Sequence, residues 1–376
     1  MQRIAIAFVL LLTACGNGTA TSTSNSGAQG SSPLASPSQA PTQSPAPAVA
    51  AIAVVNPSLS GAAFTVSLLA ADGRVLGTAQ GSGNSAFQCA DQPSAAIGPA
   101  VVSTSNRRAY YLAGDSIKWI DTAGGAGSAA RIAVGARTAV AFSVAPDDSR
   151  LAVNVLDYSR YPITQRLYVA NVDGSGARDI YTVTDTNDRP AAAVWPTGWR
   201  GGNLLLAYSA RTCSFQDGPG PPTGFGRPNS YHLVRPDDAV RVMTIASDFE
   251  TTVLDVGPAG ALYFAPISSE VGFERWDGTY GASRPATAPA AALSPDGVHE
   301  AVMMSDGIHV FGPNSPAEAI GNATNFLWID NSSLFLGGTA REQPRIWRLG
   351  GSPVPVATAG AGQGRIPGTL DAGRGT

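Results

Sequence analysis

The sequence is poor in charge, in histidine and in cysteine. Only 14% of its 376 residues are charged, and they nearly cancel to a net charge of -3. The 24 basic residues are scattered, and a single one, Lys118, is a lysine. Without a basic patch or stripe the chain lacks the electrostatic footprint of a nucleic-acid binder. The three histidines, His232, His299 and His309, form no H-x-x-x-H pair, and no segment has the spacing of a calcium loop. No metal or other cofactor is therefore expected. The G-x-S-x-G of a nucleophile elbow is missing too: the near-matches GSGNS and DGSGA fall between strand-like segments rather than at a strand-to-helix turn. A Ser-His-Asp triad assembled in space stays open, because such triads leave no sequence signature. No long stretch shows a 3.6-residue period, so GAGQGR (360–365) is a glycine-rich tail and not a phosphate loop.

The ends of the chain carry an address. Arg3 precedes a short apolar core, Ile4 to Leu12, too short to span a bilayer as a helix and followed by small residues. Residues 1–15 are thus expected to be a signal peptide. Leu12-Thr13-Ala14-Cys15 resembles the lipobox of bacterial lipoproteins, which implies a diacylglycerol on the Cys15 sulfur and cleavage before it. Several acyl chains at ~0.8 kcal/mol per buried methylene make a lasting membrane anchor. Residues 16–48 contain no charged or aromatic side chain, only small and polar ones with a single Leu. Such a segment buries too little to repay ordering and is expected to be a tether reaching roughly 30 Å. No later run of 18 apolar residues follows, so nothing else is expected to cross the membrane as a helix.

Residues 49–365 read as one all-β domain, with 366–376 as a C-terminal tail. The 43 glycines and 28 prolines punctuate the chain every ten residues or so, with short Val, Leu, Ile, Tyr and Phe runs between them. These runs repeat. VAPDDSRLAV at Val144 aligns with LSPDGVHEAV at Leu293, each a strand end, a tight turn at Pro-Asp and a second strand. Looser copies begin at Val102, Trp195, Val256 and Trp328. Downstream of each copy lies a third strand and another turn: SIKWIDTAGG, RLYVANVDGSG, SYHLVRPDDA, FERWDGTYG, GIHVFGPNS and RIWRLGGS. AFTVSLLAADGRVLG (63–77) looks like the same hairpin of an earlier unit, whose first strand would be AIAVV. Pro146 and Pro295 are 149 residues apart, three units of about 50 residues, the length that four short strands require. Units beginning near 51, 97, 139, 191, 252, 290 and 325 make seven, with six and eight as neighbouring counts. Four-stranded units repeated radially describe a β-propeller of seven blades, expected to be monomeric because ring closure leaves only short edges.

SPDG followed by a hydrophobic strand, and LYVANVDGSGAR, resemble the repeat of TolB-like and related WD40-like bacterial propellers. The motif is specific over about two units, at Leu167–Arg178 and Leu293–Gly297. The resemblance implies a cell-envelope propeller, and a fold of this kind does not assign a function.

The candidate sites are few. Asp147 and Asp148 sit side by side, but Asp after Pro is a turn residue, and the matching position to Asp148 is Gly297. A catalytic carboxylate would not exchange for glycine, so these acids read as turn closure. With Cys15 lipidated, Cys89 and Cys213 are left as a candidate disulfide in an oxidising compartment, or as two separate thiols. The Pro/Gly-rich insertion 210–230 carries Phe215, Phe225 and Arg227 and is followed by Tyr231, and it is the candidate binding loop. Trp119, Trp276, Trp328 and Trp347 are expected to pack between blades. Together these features point to a lipid-anchored, extracytoplasmic binding or scaffolding module for an envelope protein or glycan. The rival is an extracytoplasmic propeller enzyme of glycan lyase or hydrolase type, which would need convergent carboxylates and an Arg or His on one face. Membership of a larger envelope assembly is a third reading. Cys15→Ser is expected to release the protein from sedimented membranes into the soluble fraction, and persistent tight association after that change would overturn the anchor.

Overall fold

The computed structural model describes residues 51–365 except 58–62, 83–86, 90–91, 98–101, 136–137, 158, 160–161, 186–192, 210–229, 246–251, 266, 282, 286–289, 314–317, 324, 339–341 and 357–362. Its strands form seven four-stranded antiparallel sheets arranged in a ring. The chain is a seven-bladed β-propeller.

Each blade is a meander whose strands run in chain order from the innermost outward. Blade 2 is Val102–Thr104, Arg108–Ala113, Ser116–Asp121 and Ala126–Arg131, and blade 3 is Thr138–Val144, Arg150–Asp157, Ile163–Asn171 and Arg178–Asp185. Blade 4 is Ala193–Arg200, Asn203–Ser209, Ser230–Val234 and Arg241–Ile245. Blade 5 is Thr252–Val256, Gly260–Ala265, Glu270–Arg275 and Arg284–Pro285. Blade 6 is Ala291–Leu293, Glu300–Met304, Gly307–Phe311 and Glu318–Ala319, and blade 7 is Phe326–Trp328, Ser333–Leu336, Arg345–Arg348 and Val354–Pro355. Every segment read from sequence as a third strand is one.

Blade 1 corrects the sequence reading. Ala51–Pro57, expected to be its first strand, is its second. The innermost strand is Gln363–Arg365 from the other end of the chain, antiparallel to Ala51–Pro57 through Val54↔Gly364. A glycine-rich tail in the sequence is therefore a closing strand in the ring. Pairing the two ends removes the edges an open sheet would expose. A separate hairpin, Phe87–Cys89 with Gln92–Ile97, lies in the connection between blades 1 and 2.

The hydrophobic core is divided among the seams between blades. In the second strand of blade 3, Leu151 and Val153 pack with Tyr110 and Leu112 of blade 2, while Ala152 packs with Leu204 and Leu206 of blade 4. Successive side chains of a strand point to opposite faces, so a blade covered on both sides buries both sets. This explains the near-continuous apolar runs in the sequence. Trp199 and Trp328 each lie at the end of an innermost strand and donate the indole N–H to the preceding blade. Their acceptors are the carbonyls of Ser143 (3.3 Å) and Ala292 (3.1 Å), each three residues before the turn proline of its blade.

The alternation of strand direction gives the ring two unlike faces. Connections from first to second strand and from third to fourth, most of them turns closed by an aspartate, leave from one face, the turn face. Connections from second to third strand, and from each blade to the next, leave from the other face. The flanks of the 210–229 insertion, Ser209 and Ser230, end on this second, loop face, and Ala51 begins on the turn face.

Candidate functional site

The paired acids that open the question of catalysis are on the turn face. Asp147 accepts hydrogen bonds from the Ser149 amide (3.0 Å) and hydroxyl (2.6 Å), and the Ser149 hydroxyl holds its carboxyl below the usual range. The same Asx turn recurs at Asp121, Asp173, Asp238, Asp277, Asp296 and Asp330, each accepting from the amide two residues on. These carboxylates close turns.

Asp148 has a second task that the repeat alignment does not reveal. Its backbone is left-handed (φ 63°), as is that of Gly297 (φ 73°) in the matching turn. Its carboxylate, however, is nearly covered and accepts a 2.7 Å hydrogen bond from the Tyr110 hydroxyl of blade 2. Arg107 and Arg108 lie 3.8 and 4.0 Å from its other oxygen, and Arg108 stacks on Trp119. Burial pushes the Tyr110 hydroxyl above its ordinary range, so it remains a donor. The group ties blade 2 to blade 3. Elsewhere Arg178 and Arg150 of blade 3 reach Asp237 of blade 4, Arg200 of blade 4 reaches the Pro258 carbonyl of blade 5, and Arg348 of blade 7 reaches the Ala71 carbonyl of blade 1.

Of the residues proposed for binding, Cys15, Cys213, Phe215, Phe225 and Arg227 lie outside the described residues. Cys89 ends the strand Phe87–Cys89, where its backbone pairs with Gln92. Tyr231 is half-buried and packs toward blade 5, against Leu205, Leu233 and Ile245. His309 bonds Asp306 (2.8 Å), and His299 lies against Trp328, 5.8 Å between ring centroids.

His232 marks the part of the structure that the sequence did not single out. On one side of blade 4, strand alternation aligns Tyr208, Ser230 and His232 facing blade 3. The His232 ring stacks on Tyr208 (4.7 Å, 21°), and its Nε2 is 3.0 Å from the Ser230 hydroxyl. Tyr181 of blade 3 packs into the same seam, and Gln165 crosses it to donate to the Val194 carbonyl (2.7 Å). This end of the seam opens toward the loop face, where the insertion leaves blade 4. The only sequence signal was the alternation Ser230-x-His232 opposite Tyr208, legible once register is known.

A serine bonded to a histidine suggests nucleophilic chemistry, but the electrostatics have the wrong sign. A catalytic imidazole needs a carboxylate that stabilises its protonated form. Here burial first, and then Arg241, pull the His232 pKa down. Among the described residues no three His, Cys, Asp or Glu side chains come together to hold a metal ion. The arrangement offers rings, a hydroxyl and amides, the groups of a recognition surface.

No protein-family model and no curated protein matches the chain. Among solved structures it is similar to an oligogalacturonate lyase in complex with manganese, at 11% identity over 78% of this chain and 89% of that one, with a TM-score of 0.46. A protein from Lactobacillus plantarum is similar at 13% identity over 84% and 98% (TM-score 0.44), and a eukaryotic initiation factor at 12% over 85% and 100% (TM-score 0.41). Likeness at this level concerns architecture and carries nothing about chemistry.

Two outcomes follow. Asp148→Gly should preserve the turn, as at Gly297, but leave Tyr110 without its acceptor. A loss of about 2 kcal/mol in unfolding free energy, read as a lowered urea midpoint, is expected, and Tyr110→Phe added to it should cost little more. Fully additive losses would show that the two side chains act separately. For His232 the folded-state pKa lies below the unfolded value of about 6.5, so the unfolded chain takes up the proton first. Stability should therefore fall as pH drops through that value, and His232→Phe should flatten that part of the profile; an unchanged profile would contradict it.

Proposed function

We propose that the protein is an extracytoplasmic binding or scaffolding module, tethered to a membrane through a lipid on Cys15, that recognises an envelope protein or glycan by its loop face. The observation that supports this is the asymmetry of the ring. The chain enters the propeller on the turn face, where the acidic side chains are engaged in closing turns and tying blades together. The opposite face carries the longest connection within a blade, between Ser209 and Ser230, and the end of the seam between blades 3 and 4 that is lined by Tyr181, Tyr208 and His232. The resemblance of two blades to TolB-like repeats agrees with an envelope setting. The lyase or hydrolase reading requires convergent carboxylates beside an Arg or His, whereas the Ser230–His232 pair is neighboured by Arg241, whose charge opposes an imidazolium.

The reading is tested by placing a photo-crosslinking residue at Ser159, on the loop face of blade 3, or at Ala177, on its turn face, in the full chain in its native membrane. Covalent adducts are expected from position 159 and not from 177. Adducts confined to 177, or none from either, would sink it.

A further inference from the structure

Among the described residues Asn154 and Gln165 are the two amide residues buried as a whole, and both face the seam between blades 3 and 4; Asn56, Asn106 and Asn325, less buried overall, each have one buried amide oxygen without a partner. Asn154, on the second strand of blade 3, is fully buried, and neither its Oδ1 nor its Nδ2 has a hydrogen-bond partner. Gln165, on the third strand, is 4% exposed; its Nε2 is fixed by the Val194 carbonyl, and its Oε1 is left without a partner. The ladder pairs Leu156 with Gln165 and Asn154 with Leu167, so the two amides are diagonal neighbours on one sheet face. In a dry apolar seam each unpaired group would be destabilising. Buried polar groups are otherwise satisfied by enclosed water or by a ligand.

The same seam is lined toward the loop face by Tyr181, Tyr208 and His232, all half-buried. Burial keeps His232 in its neutral form at pH 7, the tyrosines are uncharged, and the nearest charge acting on His232 is that of Arg241 on the exposed outer strand. Ring faces suit the C–H surface of a sugar. Neutral amides, which both donate and accept, suit its hydroxyls directly or through bound water. A charged ligand would have to leave water for a seam whose amides supply no compensating charge.

We propose that the loop-face end of the seam between blades 3 and 4 binds a neutral sugar unit, docked on Tyr181 and Tyr208 above the hydrated amides of Gln165 and Asn154. This rests on the binding-module reading and narrows its partner to a glycan.

The test is saturation-transfer NMR on the full chain with glucose, galactose, mannose and N-acetylglucosamine as probes. At least one should give a saturable response, weakened about tenfold, or ~1.4 kcal/mol, by Tyr208→Ala and by Asn154→Leu. Asn154→Leu keeps the branched four-atom skeleton of the side chain while removing its polar atoms, so its melting temperature is a second readout. A hydrated amide gives no gain in stability on replacement, whereas an amide stranded in a dry seam gives a clear rise. No saturable response from any probe, or a stabilised Asn154→Leu that binds like the parent, overturns the proposal. If the sugars fail while position 159 still captures an envelope protein, the binding module stands with a protein partner. If both fail, both readings fall.

Discussion

The structure depends on the packing of one twisted sheet against the next. A single four-stranded blade has two apolar faces and can cover neither alone. Seven of them in a ring cover one another, and the final seam closes only because a strand from the far end of the chain completes blade 1. The core is therefore distributed, and each seam is a separate interface with its own composition. Most are filled by Val, Leu, Ile, Phe and Trp. The seam between blades 3 and 4 is bridged by Arg150, Arg178 and Asp237 at the turn face, apolar in its middle and amide- and ring-lined toward the loop face, and that last departure makes it the candidate site.

The two faces of the ring do different physical work. On the turn face, short connections oblige the backbone to reverse within a few residues. Aspartate supplies the acceptor that each reversal needs, and arginines and one tyrosine reach across to the neighbouring blade. Carboxylates whose oxygens are taken up in this way have little freedom to serve as acids or bases. On the loop face the connections within a blade range from two residues, at Gly114-Asp115 and Ser305-Asp306, to the insertion between Ser209 and Ser230.

Asp148 shows how far alignment of repeats reaches. Its left-handed backbone, shared with Gly297, was legible from the matching turns. Its bond to Tyr110 was not, because the partner lies 38 residues away on another blade. His232 is similar. Its strand was legible from SYHLV, but the stack on Tyr208 and the contact with Ser230 depend on which strand face meets blade 3, and a one-residue change of register would reverse it. The strand Gln363–Arg365 was missed for a different reason: it has almost no apolar content, and its place comes from ring closure rather than from local preference.

What the sequence determined by itself is the repeat, and with it the third strands and a blade count centred on seven, because period-2 apolar runs and turn residues act locally. It also carries the candidate lipid anchor and tether, which are chemical signals independent of the fold. Tertiary structure alone decided which strand completes blade 1, which acids hold neighbouring blades together and which seam places Asn154 and Gln165 on the same side as Tyr208 and His232. Those outcomes depend on contacts between residues far apart in the chain, and such contacts exist only after the ring has closed.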